Sequence, residues 1–324
     1  MRILFVTATR IGDAVLSTGV LSHLLDRYPG ARLTIAAGRD AAPLFADVPG
    51  LERIITIEKQ RWRMHWLGLY RAVALKRWDV VVDLRASALA YLLWTKQRYV
   101  AQKRQVGEHR IKQMARIFGL DTPPSPRLWI APAREAEAAS LVPPLSASGL
   151  GAPVLAIGPA ANWRGKEWRA ERFAELAQRL TAPGGLFPNA RVAVMAAAHE
   201  RPQALPLIEA LGHRAIDLVG KIHLLTAAAV IERTALFIGN DTGLMHLAAA
   251  TGTPTLGLFG PSPIDQYSPW GPHTAVVATA IPHRDLIPPD FDRLTTDTLM
   301  DSLSVDMAEE AARQLWARVA GKAA

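Results

Sequence analysis

Short apolar runs alternate with amphipathic helical patterns along most of the chain. This alternation is typical of a parallel β-sheet whose strands are joined by crossover helices. In the first half, the apolar runs predict strands over 3–7, 33–37, 53–57 and 80–83. Between the first two strands, the spacing of apolar residues predicts a helix over 14–28 that ends at Pro29-Gly30.

The alternation lapses near the middle of the chain and then starts again. Six prolines between 123 and 144 precede Ser-Ala-Ser-Gly-Leu-Gly, which predicts an interdomain linker around 141–152. The renewed pattern predicts strands over 154–157, 191–196, 216–219, 236–239 and 255–259, and helices over 170–180, 203–211, 224–232, 243–251 and 305–319. With 324 residues, we expect an α/β protein of two domains, 1–150 and 151–324, whose last helix is long enough to pack on either domain.

Composition narrows the class of protein. The chain has no cysteine, which excludes disulfides, cysteine-based zinc sites and thiol nucleophiles. The apolar run at 1–7 is too short for a signal sequence. No uncharged apolar stretch approaches the roughly 20 residues that cross a bilayer. We therefore expect a cytoplasmic protein.

The net charge of +8 is concentrated in one segment. Residues 59–107 contain eleven Lys and Arg against two acids, Asp79 and Asp83, so the rest of the chain carries 26 basic and 27 acidic residues. Tryptophans 62, 66, 78 and 94 lie in the same segment. Basic and aromatic residues together suit an anionic membrane surface. A solvated basic face with its tryptophans in the core fits the segment equally well.

Two loops that follow strands carry candidate site residues. Ligands of open α/β sheets bind beyond the carboxyl ends of the strands, and two such domains would face an interdomain cleft. In loop 7–13, Asp13 fits a helix N-cap, the reading that its position favours, and also a base that takes a proton from an acceptor hydroxyl. In loop 157–168, Arg164 and Lys166 are either exposed cations or contacts to a diphosphate.

A third loop, within 236–246, gives the strongest signal because a strand, a tight polar turn and a helix start follow one another there. Gly239 and Gly243 allow close approach of the backbone, and free N–H groups at the helix start favour an anion. Asp241 fits a helix cap or an acceptor of sugar hydroxyl protons. His246, one turn into the helix, fits a structural role or a ligand contact. Because no strand leads into the Asp-x-Asp at 290–292, we interpret it as a surface loop and expect no metal site.

The sequence resembles glycosyltransferase family nine, the ADP-heptose:lipopolysaccharide heptosyltransferases. The resemblance spans nearly the whole chain in order. It rests on Ile11-Gly12-Asp13, Gly158 to Lys166-x-Trp168 with Glu171-x-Phe173, Gly239-Asn240-Asp241-Thr242-Gly243-x-x-His246-Leu247-Ala248, Phe259-Gly260-Pro261 and Trp270-Gly271. Two positions depart from the family: Gly19 replaces a common proline, and Arg10 replaces a small hydroxyl residue.

The resemblance implies a GT-B fold of two Rossmann-like domains, the first binding the acceptor and the second the nucleotide-sugar. It implies metal-independent, inverting transfer without a cofactor, with Asp13 as general base. The other residues that it assigns are Lys166 for the phosphates, Asp241, Thr242, Gly243 and His246 for the donor sugar and diphosphate, Glu200 for the nucleoside, and Arg10 and Gly12 on the acceptor side.

We therefore expect an enzyme that moves a sugar, heptose from ADP-heptose, onto a lipopolysaccharide core or a related lipid-linked acceptor. It would work at the cytoplasmic face of the inner membrane as a peripheral protein. A sugar-nucleotide epimerase of similar fold is one alternative, and it would act on the donor without an acceptor. A non-catalytic nucleotide-binding or nucleic-acid-binding protein is another, although neither a helix-turn-helix nor an RNA-binding signature is evident.

Overall fold

A computed structural model describes residues 1–58, 61, 64–102, 105–143, 153–287, 291–292 and 294–321. The chain divides into two compact units, unit 1 (Met1–Ala131) and unit 2 (Pro132–Ala324). The predicted linker around 141–152 lies mostly outside the described residues.

Unit 1 is built on one parallel sheet with five strands in the spatial order β3-β2-β1-β4-β5. The strands are β1 (Arg2–Val6), β2 (Arg32–Gly38), β3 (Leu51–Ile57), β4 (Trp78–Asp83) and β5 (Thr95–Val100). The helices are α1 (Ile11–Arg27), α2 (His65–Val73), α3 (Leu89–Leu92) and α4 (Arg110–Ile117), with a 3₁₀ turn at Ala42–Phe45. All four predicted strands and the predicted helix are confirmed. The sequence missed β5, because Thr-Lys-Gln-Arg-Tyr-Val has no apolar run.

The centre of this sheet is covered on both faces, as parallel sheets usually are. Residues 3–6 of β1 are fully buried. Helix α1 approaches the segment 124–127 closely: a Cβ on Gly19 would lie 2.3 Å from the carbonyl oxygen of Pro124, and the Thr18 hydroxyl accepts a hydrogen bond from the Arg127 N–H at 3.0 Å. Gly19, which departs from the family pattern, is therefore a packing position.

Unit 2 is a six-stranded parallel sheet in the order β11-β10-β9-β6-β7-β8. Its strands are β6 (Val154–Gly158), β7 (Arg191–Val194), β8 (Ala215–Asp217), β9 (Leu236–Asn240), β10 (Thr255–Phe259) and β11 (Thr274–Ala278). Its helices are α5 (Pro132–Leu141), α6 (Ala170–Thr181), α7 (Arg201–Leu211), α8 (Leu224–Glu232), α9 (Gly243–Thr251), α10 (Ile264–Tyr267) and α11 (Val305–Ala320). Three 3₁₀ turns lie at Arg164–Lys166, Ala198–Glu200 and Gly212–Arg214.

All five strands and five helices predicted for the second half are present in unit 2, which adds α5, α10 and β11. Helix α5 packs against α8, so the chain leaves unit 1 before the predicted linker. The last helix, α11, packs on α6, β10 and β11 in the main core of unit 2, which also contains Trp168 and Phe173. None of the described helices combines the length and the apolar character that crossing a membrane requires.

Candidate active site

The two candidate loops of unit 2, within 157–168 and 236–246, lie side by side because they follow the neighbouring strands β6 and β9. Gly158 at the end of β6 pairs with Gly239 in β9, and a Cβ on Gly239 would lie 2.9 Å from the Gly158 carbonyl oxygen. The buried side chain of Asn240 joins the loops: its Nδ2 donates to the Pro159 carbonyl at 2.7 Å, and its Oδ1 accepts from the Trp168 N–H at 3.1 Å. Sequence reasoning did not single out Asn240, because this role depends on a partner from another strand.

Lys166 and Asp241 form an ion pair at this edge of the sheet. The Lys166 Nζ donates to an Asp241 carboxylate oxygen, and both side chains are largely buried. Asp241 therefore does not cap α9, and the cap interpretation of this residue is wrong. The N-cap position belongs to Thr242. Because a lysine ammonium has three N–H donors, Lys166 can neutralise Asp241 and still donate to a second anion.

The first turn of α9 lies beside this ion pair. Thr242 has an extended backbone, and its side chain makes no capping hydrogen bond. The N–H groups of the first turn thus lack a side-chain cap, and such a helix start favours an anion. Gly243 is the first helical residue. His246 is buried, with its Nε2 3.9 Å from the Asp241 Oδ1.

The loop that carries Lys166 is held from one side by segment 297–303. The Thr298 hydroxyl donates to the Glu167 carbonyl, the Leu299 N–H donates to the Gly165 carbonyl at 3.1 Å, and the Trp168 indole N–H donates to the Leu303 carbonyl at 2.8 Å. These hydrogen bonds fix the loop within unit 2.

Arg164, in the same loop, is engaged in ion pairs. Its guanidinium contacts Glu167 at 2.8 Å and Asp297 at 2.9 Å. Hydrogen bonds from the Thr298 N–H, Arg164 and Arg169 lower the pKa of Asp297 to about 2. The sequence analysis gave Arg164 and Lys166 as two possible contacts to a diphosphate. In the structure, Arg164 supports the loop through ion pairs, and Lys166 lies beside α9.

Glu200 follows β7, which neighbours β6 in the sheet. It lies in the 3₁₀ turn at Ala198–Glu200, where its carboxylate accepts a hydrogen bond from the Ala197 N–H at 2.8 Å. The loop after β7 therefore lies at the same carboxyl edge of the sheet as the loops after β6 and β9. Contact of Glu200 with a nucleoside stays a prediction.

In unit 1, Asp13 lies in the first turn of α1 and is not its N-cap. The helix begins at Ile11, and the exposed Arg10 occupies the N-cap position, so the cap interpretation of Asp13 is wrong. Asp13 Oδ1 is buried without a hydrogen-bond partner among the described residues. It lies 3.8 Å from the Arg110 Nε, at the start of α4. Gly12 precedes it in the same turn.

Arg85 comes from the loop after β4, which neighbours β1. Burial lowers the pKa of Arg85, while the nearby carboxylates of Asp83 and Asp13 act in the opposite direction. Its Nη1 is buried and has no hydrogen-bond partner in the described part of the chain. Asp83 is fully buried, and burial raises its pKa. Two arginines, 85 and 110, thus lie near Asp13. The sequence missed both, although Arg85 lies only two residues after the end of β4.

Across the described ranges, no three His, Asp or Glu side chains come together where they could hold a metal ion. Asp292 of the Asp-x-Asp is exposed and accepts a hydrogen bond from the Leu294 N–H at 2.9 Å. Asp290 lies outside the described residues.

Two Rossmann-like units with polar loops beyond the strand ends are the architecture of the GT-B fold, and solved structures support this fold class. The chain is similar to a structure described as E. coli ADP-heptose lps heptosyltransferase II, with a TM-score of 0.73, 20% identity and coverage of 98% of this chain and 99% of that one. It is also similar to E. coli heptosyltransferase WaaC with ADP, with a TM-score of 0.70, 19% identity and coverage of 97% and 100%.

The family model described as Glycosyltransferase family 9 (heptosyltransferase) matches residues 69–286. A curated relative, lipooligosaccharide heptosyltransferase 2 of Haemophilus influenzae, is 26% identical over 301 residues, which cover 83% of this chain and 86% of that protein. The chain belongs to glycosyltransferase family 9 and is a glycosyltransferase.

Proposed function

We propose that this enzyme transfers heptose from ADP-heptose, with inversion and without a metal ion, onto a lipopolysaccharide core or a related lipid-linked acceptor. The observation that carries the proposal is the Lys166–Asp241 pair beside the uncapped start of α9. A cation and an anion-binding helix start at one sheet edge suit a diphosphate. The names of the similar proteins, which include an ADP-bound heptosyltransferase, support the choice of donor.

On the donor side, Lys166 and the first-turn N–H groups at Thr242 and Gly243 hold the diphosphate. As the bond between the anomeric carbon and the diphosphate oxygen breaks, negative charge grows on the leaving ADP. A fixed ammonium and a helix N-terminus stabilise that charge, as a metal ion does in other transferases. Asp241 and His246 contact the sugar, and Glu200 contacts the nucleoside.

On the acceptor side, Asp13 acts as the general base. It takes the proton from the acceptor hydroxyl, and the oxygen then attacks the anomeric carbon from the face opposite the diphosphate. A carboxylate oxygen buried without a hydrogen-bond partner supports this role, because helix capping does not explain it.

The acceptor carries an acidic group next to the reacting hydroxyl. Arg85 and Arg110 lie near Asp13, and buried guanidinium groups bind carboxylates and phosphates well. Arg10 and Gly12, in the same turn, line the acceptor. The acceptor is lipid-linked, and the enzyme works as a peripheral protein on the cytoplasmic face of the inner membrane.

Family membership favours this proposal over the alternatives left open by the sequence. An epimerase would rearrange the donor alone, whereas a family 9 enzyme is a transferase. A nucleic-acid role predicts strongly salt-dependent binding to DNA or RNA.

A panel of nucleotides tests the donor assignment. A ligand that binds the native state raises its stability by mass action, so ADP and ADP-heptose should raise Tm in the presence of EDTA. UDP, GDP and CDP should raise it less. Equal stabilisation by every nucleotide, or an absolute need for Mg²⁺, would contradict the proposal.

A further inference from the structure

Four large apolar side chains are exposed within a short stretch of unit 1. The exposed fractions are 99% for Leu75, 73% for Trp94, 65% for Tyr91 and 61% for Leu92. Single exposed apolar residues are ordinary, but exposed apolar residues that cluster mark an interaction surface.

The four side chains lie at one edge of the sheet. Leu75 is in the turn that leads into β4, while Tyr91, Leu92 and Trp94 are in α3 and in the turn that leads into β5. The two turns are adjacent, because the Trp78 N–H donates to the Trp94 carbonyl at 3.0 Å. The two turns therefore lie at the amino-terminal edge of the unit 1 sheet, and α3 lies beside β5, where the Arg98 Nε donates to the Ala90 carbonyl at 2.6 Å.

Cationic side chains accompany this cluster. The Arg77 guanidinium lies 5.7 Å from the ring centre of Trp94, and that of Arg98 lies 5.5 Å from Tyr91. A groove of about 750 Å³ beside Trp94 is lined by Arg2, Arg32, Arg77 and Lys96. Among its lining residues in the described chain, Asp79 is the one carboxylate, and Lys96 pairs with it at 2.7 Å.

We propose that this surface, the edge patch formed by Leu75, Arg77, Tyr91, Leu92, Trp94 and Lys96, docks the enzyme on an anionic phospholipid bilayer. Aromatic and aliphatic side chains enter the interface, and basic residues are attracted to the anionic headgroups. The inference rests on the lipid-linked acceptor of the proposed function and assigns the membrane contact to particular residues.

Charge and chemistry argue against two other occupants. In a symmetric dimer the patch would face itself and set cations against cations. A nucleic acid would use the cations and aromatic rings but would leave Leu75 and Leu92 exposed to water.

The location of the patch has a consequence for the reaction. Asp13 follows the carboxyl end of β1, whereas the patch lies at the amino ends of β4 and β5. With a rise of about 3.3 Å per strand residue, a six-residue strand such as β4 separates the two edges by about 20 Å. With the patch on the headgroups, the loop of Asp13 would face away from them, at most about 20 Å beyond the bilayer surface.

Vesicle co-sedimentation tests the patch. The wild-type protein should bind vesicles of phosphatidylglycerol and phosphatidylethanolamine and should not bind pure phosphatidylcholine. The variant Tyr91→Ala/Leu92→Ser/Trp94→Ala should bind the anionic vesicles at least tenfold more weakly, with Tm unchanged. Leu294→Ser, a control at a residue of unit 2 that is 93% exposed, should bind like wild type.

A second readout keeps the test independent of folding. Brominated lipids should quench part of the wild-type tryptophan fluorescence and less of the fluorescence of Trp94→Phe. Unchanged vesicle binding in the triple variant would overturn the proposal. It would also be overturned if the wild-type protein formed a dimer by sedimentation velocity that the triple variant does not form, or if the triple variant lost binding to RNA and not binding to vesicles. ADP stabilisation, measured on the same proteins, reports separately on the proposed function.

Discussion

Units 1 and 2 are each built on a parallel sheet with polar loops at its carboxyl edge. Their candidate sites differ in how many of the polar side chains have hydrogen-bond partners within the protein. In unit 2, Asn240 joins two loops, Lys166 pairs with Asp241, and segment 297–303 holds the Lys166 loop. In unit 1, Asp13 Oδ1 and Arg85 Nη1 are buried without a hydrogen-bond partner among the described residues.

This difference indicates which half of the reaction each unit prepares. Preorganised charges accelerate a reaction because they need not reorganise when charge develops, which suits the leaving diphosphate. Buried polar groups are usually hydrogen-bonded, so a buried carboxylate oxygen whose described contact is an ion pair with Arg110 at 3.8 Å calls for a functional explanation. In the proposed reaction, the acceptor hydroxyl donates a hydrogen bond to Asp13.

The largest expected effect comes from Asp13→Asn, which keeps the shape of the side chain and removes its basicity. Turnover should fall by roughly 10²–10⁴, the usual contribution of general acid–base catalysis. Tm and ADP affinity should barely change, because unit 2 carries the donor residues. Transfer rate, Tm and ADP affinity measured on wild type, Asp13→Asn and Asp13→Ala separate the roles. An Asn variant that transfers at near the wild-type rate would remove Asp13 from the mechanism.

Lys166→Ala should weaken ADP binding on the donor side. A hydrogen bond to a charged group contributes about 1.5–3 kcal/mol, so Kd should rise by about 10- to 100-fold. Isothermal titration calorimetry measures this change in EDTA. Lys96→Ala, which removes a lysine from unit 1, is the matched control and should bind ADP normally. Equal Kd values for the two variants would show that Lys166 does not contact the diphosphate.

Replacing each of two helical glycines of unit 1 with alanine should change the free energy of unfolding in opposite directions. A Cβ on Gly19 would collide with the carbonyl oxygen of Pro124, whereas a Cβ on Gly68 in α2 would meet nothing within 4 Å. Gly19→Ala should therefore lower the free energy of unfolding by about 1–3 kcal/mol through overpacking. Gly68→Ala should raise the free energy of unfolding by about 0.5–1 kcal/mol, the usual helix preference of alanine over glycine. Urea unfolding of both variants gives the comparison, and a stabilised Gly19→Ala would refute the close packing.

The smallest expected effect is the pH dependence of the ion pairs that support the Lys166 loop. The folded-state pKa of Asp297 is lowered from 3.8 to about 2. A carboxylate whose pKa is lower in the folded state than in the unfolded state stabilises the fold at pH values above its unfolded-state pKa. This stability is lost as pH falls from about 4 to 2. Because Asp297 is exposed, the effect should stay below about 1 kcal/mol. The Tm difference between wild type and Asp297→Asn should thus be present at pH 6 and shrink towards pH 2.5; a constant difference would exclude this linkage.

The sequence predicted the buried strands well because their apolar runs are what the core requires. β1 and β9 are continuous apolar segments, and both are present within two residues of the predicted bounds. The edge strand β5 was missed because Thr-Lys-Gln-Arg-Tyr-Val has no apolar run, whereas β11 was missed although it contains the apolar run Ala-Val-Val-Ala. The family and the glycosyltransferase activity followed from loops whose order along the chain is visible in the sequence.

The sequence could not predict which side chains contact one another in the candidate sites. The pairing of Lys166 with Asp241 and the closeness of Arg110 to Asp13 depend on which strands and helices become neighbours. Both cap interpretations were wrong for a local reason: α1 begins two residues before Asp13, and α9 begins after Thr242, not at Asp241. Helix boundaries are the least certain part of any such prediction.

The most direct test of the central claim is a transfer assay with ADP-heptose and a lipopolysaccharide-core acceptor in EDTA. ADP release would be followed over time, and the anomeric proton of the product would be examined by NMR. We predict that ADP release depends on the acceptor, continues in EDTA and gives a product whose anomeric configuration is inverted relative to the donor. Retention of configuration, a requirement for metal, or conversion of ADP-heptose without any acceptor would contradict the account.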